Sequence, residues 1–339
     1  MNSKMRHLSA ILAAGAMALL IMDTKTAYSG AKEGLSLCME VIIPSLFPFF
    51  VFSNHLCSTL VGQSISGTRI LRERLHIPAG SESLLVVGLL GGYPVGAQLI
   101  AQAYKNNQID RKTACILLGY CSNAGPAFIF GVAGSLFSSK CITLSLWMIH
   151  IFSALITGFL LPRPPFAVSK NVQKQTTSIV QSVRSSIFAC ASVCTWVILF
   201  RVLIAYINRL FIGSETAIWL TVLKGLLELS NGCLQLSHID NDAARYILCS
   251  FILAFGGLCV LLQTTSVTEN LGLGFYLPGK ILQSCVSVLL SLILIPVLFT
   301  GADIPLIHFL LLSSVCLILI ILIKASFKKR GGNPANNHV

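Results

Sequence analysis

The sequence predicts an all-α, polytopic membrane protein with about eight transmembrane helices and two re-entrant hairpins, arranged as an inverted repeat. The first indication is composition. Hydrophobic residues make up 55% of the 339 residues, charged residues make up only 11%, and the mean hydropathy is +0.80. The second is the position of the basic residues, which gather in loops between long apolar runs. The third is a pair of breaks, rich in glycine and proline, inside two of those runs.

The same features exclude other classes of protein. A soluble domain carries more charge, and a transmembrane barrel alternates apolar and polar residues, unlike the continuous run 306–323. The net charge of +12 is spread over many loops, which indicates orientation in a membrane and not binding of nucleic acid. The sequence has no GxSxG, HExxH, P-loop or GxGxxG motif, so we expect neither an enzyme nor a cofactor. The 12 cysteines form no CxxC pair, and no metal site is expected.

Apolar runs define the predicted elements. The first run, 8–22, is short for a span; we interpret it as a retained anchor helix, with a cleaved signal peptide as the alternative. The other predicted spanning helices cover 35–61, 113–137, 142–161, 187–207, 246–268, 280–300 and 306–324. The runs 84–103 and 217–236 are predicted to be re-entrant hairpins.

The distribution of charge decides between spanning and re-entrant runs. If every run crossed the membrane, the basic loops 62–82 and 104–112 would lie on opposite sides. If the two hairpin runs enter and leave on one side, most Lys and Arg residues fall in the cytoplasm, as do both termini. The positive-inside rule favours this second scheme. It places Lys280 at the cytoplasmic end of its helix and leaves only Arg201 and Lys224 within apolar segments.

In this scheme the order of helix, hairpin, broken helix and helix occurs twice, with opposite orientation. Inverted repeats of this kind are typical of alternating-access transporters. The predicted regions are an anchor helix with an outer loop (1–33), a first repeat (34–162), a basic cytoplasmic loop (163–186), a second repeat (187–325) and a basic or polar tail (326–339). The first repeat contains the hairpin 84–103 and the broken helix 113–137, and the second contains the hairpin 217–236 and the broken helix 246–268.

The breaks predict the binding site. In a helix interior glycine costs about 1 kcal/mol and proline about 3 kcal/mol. Interrupted backbone at membrane depth is tolerated where it is buried in protein or lines a cavity, and paired breaks mark transporter binding sites. The candidate substrate-binding residues are Gly92, Pro94, Gly96, Gln98, Ser122, Asn123, Gly125, Pro126, Asn231, Gly232, Gly256, Gly257 and Gln263.

Each candidate also has a purely structural interpretation. Asn123 has an amide that both donates and accepts hydrogen bonds, so it contacts a ligand or satisfies the backbone of a kink. The glycines and proline of the first hairpin tip either expose N–H groups to an anion or let helices approach closely. Glu228 carries a coupling proton or cation, or pairs with Lys224 one turn earlier. Arg201 snorkels to the interface or attracts an anion.

Four stretches also carry a family resemblance: GGYPVGAQ, SNAGPAFIFG, LLELSNGCLQL and AFGGLCVLLQ. They resemble the signature stretches of the YlbJ/SpoVV sporulation integral membrane proteins, within the wider nucleoside recognition Gate-domain group. The likeness runs from residue 34 to residue 325. One departure is Gln98, where the family usually has Lys. The resemblance implies a role in endospore formation and in passage of dipicolinate across the outer forespore membrane.

We therefore expect a secondary transporter or permease for a small anionic metabolite, which is dipicolinate by resemblance. A nucleoside-type permease, which Gln98 and Glu228 favour, and a non-transporting sporulation scaffold are the alternatives. The expected location is the cell membrane or the outer forespore membrane. The expected partners are the small-molecule substrate, membrane lipids, and either a second copy of the chain or other sporulation membrane proteins.

Overall fold

The computed structural model describes residues 3–60, 65, 67–75, 77–78, 81–163, 178–213, 217–268, 271–299, 317 and 321, and every regular element within these residues is helical. The α-helices are α1 (Ser3–Met22), α2 (Thr24–Leu37), α3 (Ile43–Leu60), α4 (Arg69–Leu75), α5 (Glu82–Leu90), α6 (Val95–Lys105), α7 (Arg111–Leu118), α8 (Pro126–Gly131), α9 (Lys140–Leu160), α10 (Ile179–Leu210), α11 (Ile218–Leu227), α12 (Leu229–Gln235), α13 (Asp242–Phe255), α14 (Gly257–Thr268) and α15 (Tyr276–Leu298). A π-helical turn, Cys38–Ile42, joins α2 to α3. Apart from residues 317 and 321, the predicted helix 306–324 and the tail 326–339 lie outside the described residues.

Within the described residues, five helical stretches are long and apolar enough to cross a membrane: Thr24–Leu60, Lys140–Leu160, Ile179–Leu210, Asp242–Thr268 and Tyr276–Leu298. A bilayer core of about 30 Å needs about 20 helical residues, and each stretch provides them. The prediction of an all-helical polytopic membrane protein is therefore confirmed. The total of eight spanning helices stays a prediction.

The segment 23–33, predicted as an outer loop, is mostly helical, and that prediction was wrong. The Asp23 carboxylate caps α2 by accepting a hydrogen bond from the Thr26 amide at 3.3 Å. The helix then packs along α10 through two buried glycines, Gly30 and Gly34. Glycines let helices approach closely, so the packing partner stabilises a segment whose sequence is too polar to predict a buried helix.

The helix α10 is also longer than the predicted 187–207. It begins at Ile179, where the Ser178 hydroxyl caps it, and it ends at Leu210. Arg209, which follows the predicted helix end at 207, therefore lies in the last turn of the helix and pairs with Asp23. The Thr26 side chain donates a hydrogen bond to the Asp23 carboxyl and holds the pKa of that carboxyl below its ordinary value. Arg209 lowers the pKa of Asp23 to a smaller extent. This contact ties α10 to the junction of α1 and α2.

The predicted breaks are present. The first broken helix stops after α7 and resumes at Pro126, the first residue of α8, where proline needs no N–H partner. The helices α11 and α12 meet at Glu228. The second broken helix is interrupted at Gly256 and Gly257, whose φ angles of +80° and +85° lie in the left-handed region that favours glycine.

Each hairpin run forms two short helices that pack through glycines. In the first hairpin, a Cβ added to Gly96 would lie 3.2 Å from the Cα of Gly88. In the second hairpin, Gly225 and Gly232 likewise lie directly against each other. Because α5, α6, α11 and α12 have 9, 11, 10 and 7 residues, none is long enough to span a bilayer. Re-entry from one side of the membrane agrees with this geometry and stays a prediction.

The two halves interlock in the core. The helix α15 packs against both α9 and α13, while α6 of the first hairpin packs against α14 of the second broken helix. The helix α11 of the second hairpin also packs on α14. The tips of both hairpins are therefore brought to the centre of the molecule, where the two broken helices are interrupted.

Candidate functional site

A cavity of about 40 Å³ lies where the four sequence motifs meet. Its polar or irregular lining comes from both halves: Gly92, Tyr93, Ala124, Gly125, Glu228, Ser230 and Gln263. Its apolar wall is formed mainly by α3, α10 and their neighbours, including Phe49, Phe50, Phe128, Val193, Val197 and Val260. This volume holds a few water molecules, whereas small-molecule sites measure about 300 Å³ or more. Any larger ligand requires the hairpins to move apart.

The predicted substrate-binding residues divide into two groups. Gly92, Gly125 and Gln263 line the cavity, together with the predicted coupling residue Glu228. The remaining candidates do not belong to that lining: Pro94, Gly96, Gln98, Ser122, Asn123, Pro126, Asn231, Gly232, Gly256 and Gly257. For Gly96 and Gly232 the structure shows the alternative role, because each lies against another glycine and lets two helices touch.

Asn123 holds the unwound turn of the first broken helix together. Its side-chain amide donates hydrogen bonds to the carbonyl oxygens of Gly88, at 3.2 Å, and Tyr120, at 2.6 Å. Its side-chain oxygen accepts from Lys280, at 3.2 Å, and from Gln283, at 2.9 Å. With Asn123 only 1% exposed, every polar atom of its amide is used inside the protein. The structure thus places Asn123 as the connection between the first hairpin, the broken helix and α15.

Lys280 is the main residue that the sequence analysis misplaced. It was expected at the cytoplasmic end of its helix, and it does lie near the start of α15, but its side chain is fully buried in protein. Besides the contact with Asn123, its amine donates to the side-chain oxygen of Gln283 at 2.8 Å. The rings of Tyr93 and Tyr276 lie 5.2 Å and 5.9 Å from the amine, a distance at which aromatic faces attract a cation.

A polar stripe in α15 would have revealed this position. Lys280, Ser284, Ser287 and Ser291 follow one another at intervals of three or four residues, and Gln283 lies three residues after Lys280. All five are buried. That spacing places them on neighbouring faces of one helix, turned toward protein and away from lipid. Because Lys280 is the first residue of the predicted helix 280–300, it was assigned to the cytoplasmic side and not to this buried stripe.

Glu228 forms the cap of α12 at the second hairpin tip. Its carboxylate accepts hydrogen bonds from the amides of Ser230, at 2.9 Å, and Asn231, at 2.8 Å, and from the Asn231 side chain, at 2.7 Å. An acidic N-cap is stabilised both by these N–H groups and by the helix dipole. This arrangement explains how a carboxylate that is 2% exposed is accommodated in the core.

Arg201 extends this network to the periphery. Its guanidinium pairs with the Glu33 carboxylate of α2, at 2.6 Å, and also donates to the side-chain oxygen of Asn231. A continuous chain of contacts therefore runs from Glu33 through Arg201 and Asn231 to Glu228. Lys224 lies nearby on α11, is 1% exposed, and donates to the side-chain oxygen of Gln235 at 3.3 Å.

The second broken helix supports the first hairpin tip. A Cβ added to Gly256 would lie 3.1 Å from the hydroxyl oxygen of Tyr93, so the tyrosine fits against the gap between α13 and α14. A Cβ on Gly257 would lie 3.1 Å from the carbonyl oxygen of Gly225 in the second hairpin. The interruption in this helix is thus the place where both hairpins make contact.

Comparison with known proteins agrees with the sequence motifs. The sporulation integral membrane protein YlbJ of Bacillus subtilis (strain 168) is 24% identical to this chain over an alignment of 333 residues. The alignment covers 84% of this chain and 81% of that protein. The chain resembles YlbJ-type sporulation membrane proteins. The predicted resemblance to YlbJ-type proteins is therefore confirmed, whereas membership of the wider Gate-domain group stays a prediction. Together with the five apolar helices, this resemblance supports an integral membrane protein associated with sporulation. No family model matches the chain. No solved structure matches it.

Proposed function

We propose that this YlbJ-like protein is a secondary transporter or permease, and not an enzyme, for a small anionic metabolite. By its family resemblance the proposed substrate is dipicolinate, moved across the outer forespore membrane. The single observation that carries the proposal is the convergence of two hairpin tips and two broken helices on one cavity. Transporters bind substrates where interrupted helices from two repeats meet.

The corresponding parts of the two halves support an inverted repeat. The hairpin α5–α6 precedes the broken helix α7–α8 and then α9, while the hairpin α11–α12 precedes α13–α14 and then α15. Each hairpin closes through a glycine pair, which is Gly88 with Gly96 in the first and Gly225 with Gly232 in the second. In the proposed mechanism the hairpins move alternately, which opens the cavity to one side of the membrane at a time.

The charges around the cavity favour an anionic substrate over a nucleoside. Three N–H groups satisfy the Glu228 carboxylate, so it does not face the cavity as a bare negative charge. Lys280 places an amine behind Tyr93, beside the cavity wall, and this amine carries a positive charge when it is protonated. A neutral nucleoside would need no buried ammonium group at this position.

The test is the dipicolinate content of spores from a deletion strain that is complemented with wild-type protein or with a variant. We expect wild type to restore dipicolinate and Gln263→Ala, which changes the cavity wall, to restore less. Lys140→Met, which removes an exposed lysine at the start of α9, is the matched control and should behave as wild type. Membrane levels of each protein are measured in parallel.

Other outcomes would point to the alternatives. If the deletion strain has normal dipicolinate, the substrate assignment is wrong, and uptake of labelled nucleosides becomes the next measurement. If cavity variants all restore dipicolinate while the deletion lowers it, the protein acts as a scaffold in a sporulation complex and the transport proposal fails.

A further inference from the structure

The ammonium group of Lys280 is surrounded by neutral groups. Its hydrogen-bond partners are the amide oxygens of Asn123 and Gln283, and its other close neighbours are the rings of Tyr93 and Tyr276. Among the described residues, no Asp or Glu side chain forms an ion pair with it. Burial of an ammonium group without an opposite charge is unfavourable, and within a membrane-spanning helix such a residue marks a functional site.

Two hydrogen-bonding groups near the same position have no partner within the described part of the chain: the hydroxyl of Tyr93 and the Nδ1 atom of His150. Both side chains are buried, with Tyr93 at 7% and His150 at 1%. The backbone oxygen of His150 accepts a hydrogen bond from Gln283, at 3.4 Å, so His150 lies beside a partner of the amine. Buried polar groups are nearly always paired in folded proteins, so these two groups mark a position that can accommodate a polar ligand.

Tyr93 separates this cluster from the cavity. Its ring lines the cavity and also lies over the Lys280 amine. It follows Gly92, whose φ of +79° bends the hairpin tip, and its hydroxyl borders Gly256 in the opposite half. A movement of the first hairpin that displaces Tyr93 therefore joins the cavity to the amine.

We propose that Lys280 is the anion-binding residue of the site and that its ligand is a small carboxylate. The carboxylate reaches the amine from the cavity past Tyr93. It replaces the amide oxygens of Asn123 and Gln283 as the partner of the ammonium group, and it accepts a hydrogen bond from the Tyr93 hydroxyl. This inference rests on the proposed transport function and names the residue that recognises the charge of the substrate.

The test uses the purified full-length protein in lipid nanodiscs and isothermal titration with pyridine-2,6-dicarboxylate. The neutral pyridine-2,6-dicarboxamide serves as a probe of the same shape without charge. We expect wild type to bind the dicarboxylate and to bind the dicarboxamide much more weakly. Lys280→Met should weaken binding of the dicarboxylate by about tenfold to a hundredfold, the usual effect of losing a charge-assisted contact. Lys140→Met, the exposed matched control, should bind as wild type.

A second variant separates ligand recognition from folding. Gln283→Glu places a carboxylate where an amide oxygen now lies 2.8 Å from the amine, so it supplies the opposite charge from within the protein. We expect this variant to unfold at a temperature no lower than Lys280→Met and to lose binding of the dicarboxylate to a similar extent. A purely structural lysine would predict unchanged binding in Gln283→Glu.

The inference is overturned if Lys280→Met or Gln283→Glu binds the dicarboxylate as wild type does, if wild type binds both probes equally, or if wild type binds neither. Uptake into proteoliposomes distinguishes this result from failure of the proposed function. If uptake occurs and is unaffected by Lys280→Met, the transport proposal stands and Lys280 is not the anion-binding residue. If binding depends on Lys280 but no uptake occurs, the anion-binding role of Lys280 stands and the transport proposal fails.

Discussion

Replacement of Asn123 by alanine tests whether this residue connects the core. The substitution removes four hydrogen bonds, two donated to backbone oxygens and two accepted from α15, and all four partners stay buried. An unpaired buried partner costs about 1 kcal/mol or more, whereas side-chain hydrogen bonds inside membrane proteins average about 0.6 kcal/mol. Four contacts therefore predict a loss of about 2 to 4 kcal/mol in the free energy of unfolding.

The assay is reversible unfolding of the purified protein in mixed micelles, with denaturing detergent as the variable. Asn106→Ala is the matched control, because it makes the same truncation at an exposed residue after the end of α6. We expect the control to unfold as wild type does. If the free energy of unfolding of Asn123→Ala stayed within about 0.5 kcal/mol of wild type, the four contacts would not stabilise the core together. Ligand contact would then be the better explanation of Asn123. The expected instability also means that loss of transport in Asn123→Ala does not by itself identify a ligand-binding residue.

Three further predictions use the same unfolding measurement. Glu228→Gln should lose about 1 kcal/mol, as expected for a weakened helix cap, and an unchanged stability would contradict the capping role. Gly256→Ala should lose at least about 1 to 2 kcal/mol, because its φ is left-handed and the new Cβ lies 3.1 Å from the Tyr93 hydroxyl. Gly15→Ala is the control for Gly256→Ala, since nothing lies within 4 Å of a Cβ built on Gly15. An equal change in stability in the two variants would contradict the role of the left-handed φ and the close contact at Gly256. Arg201→Met should lose about 1 kcal/mol as the partly exposed ion pair disappears, and a much larger loss would show that the pair is a major support of the second hairpin tip.

Local features of the sequence were sufficient to predict the breaks and the short helices around them. The prolines and glycines at 91–96, 122–126 and 256–257 act on the backbone wherever they occur, so their effect needs no knowledge of the partner. The same reasoning failed at 23–33. There the helix depends on the closeness of Gly30 and Gly34 to α10, and nothing within the segment reports that contact.

The candidate site shows the same difference between residues that local features reveal and residues that only tertiary contacts reveal. Gly92, Gly125, Gln263 and Glu228 line the cavity and could be predicted, because each lies in or near an interruption of an apolar run. Lys280 could not, because its contact with a residue 157 positions away arises only when α15 packs against the first broken helix. A lysine next to an apolar run looks the same in the sequence whether it faces water or protein.

The sequence by itself determined the membrane class, the positions where helices stop, and the likeness to sporulation membrane proteins, because composition, backbone preferences and motifs are local properties of the chain. Only the tertiary structure decided which interruptions meet, which polar groups satisfy one another, and where the buried amine of Lys280 lies. Those outcomes depend on packing between distant helices, which places Asn123, Tyr93 and Lys280 within a few ångströms of each other. The physical reason is that the free energy of a buried charge is set by its neighbours in space and not by its neighbours along the chain.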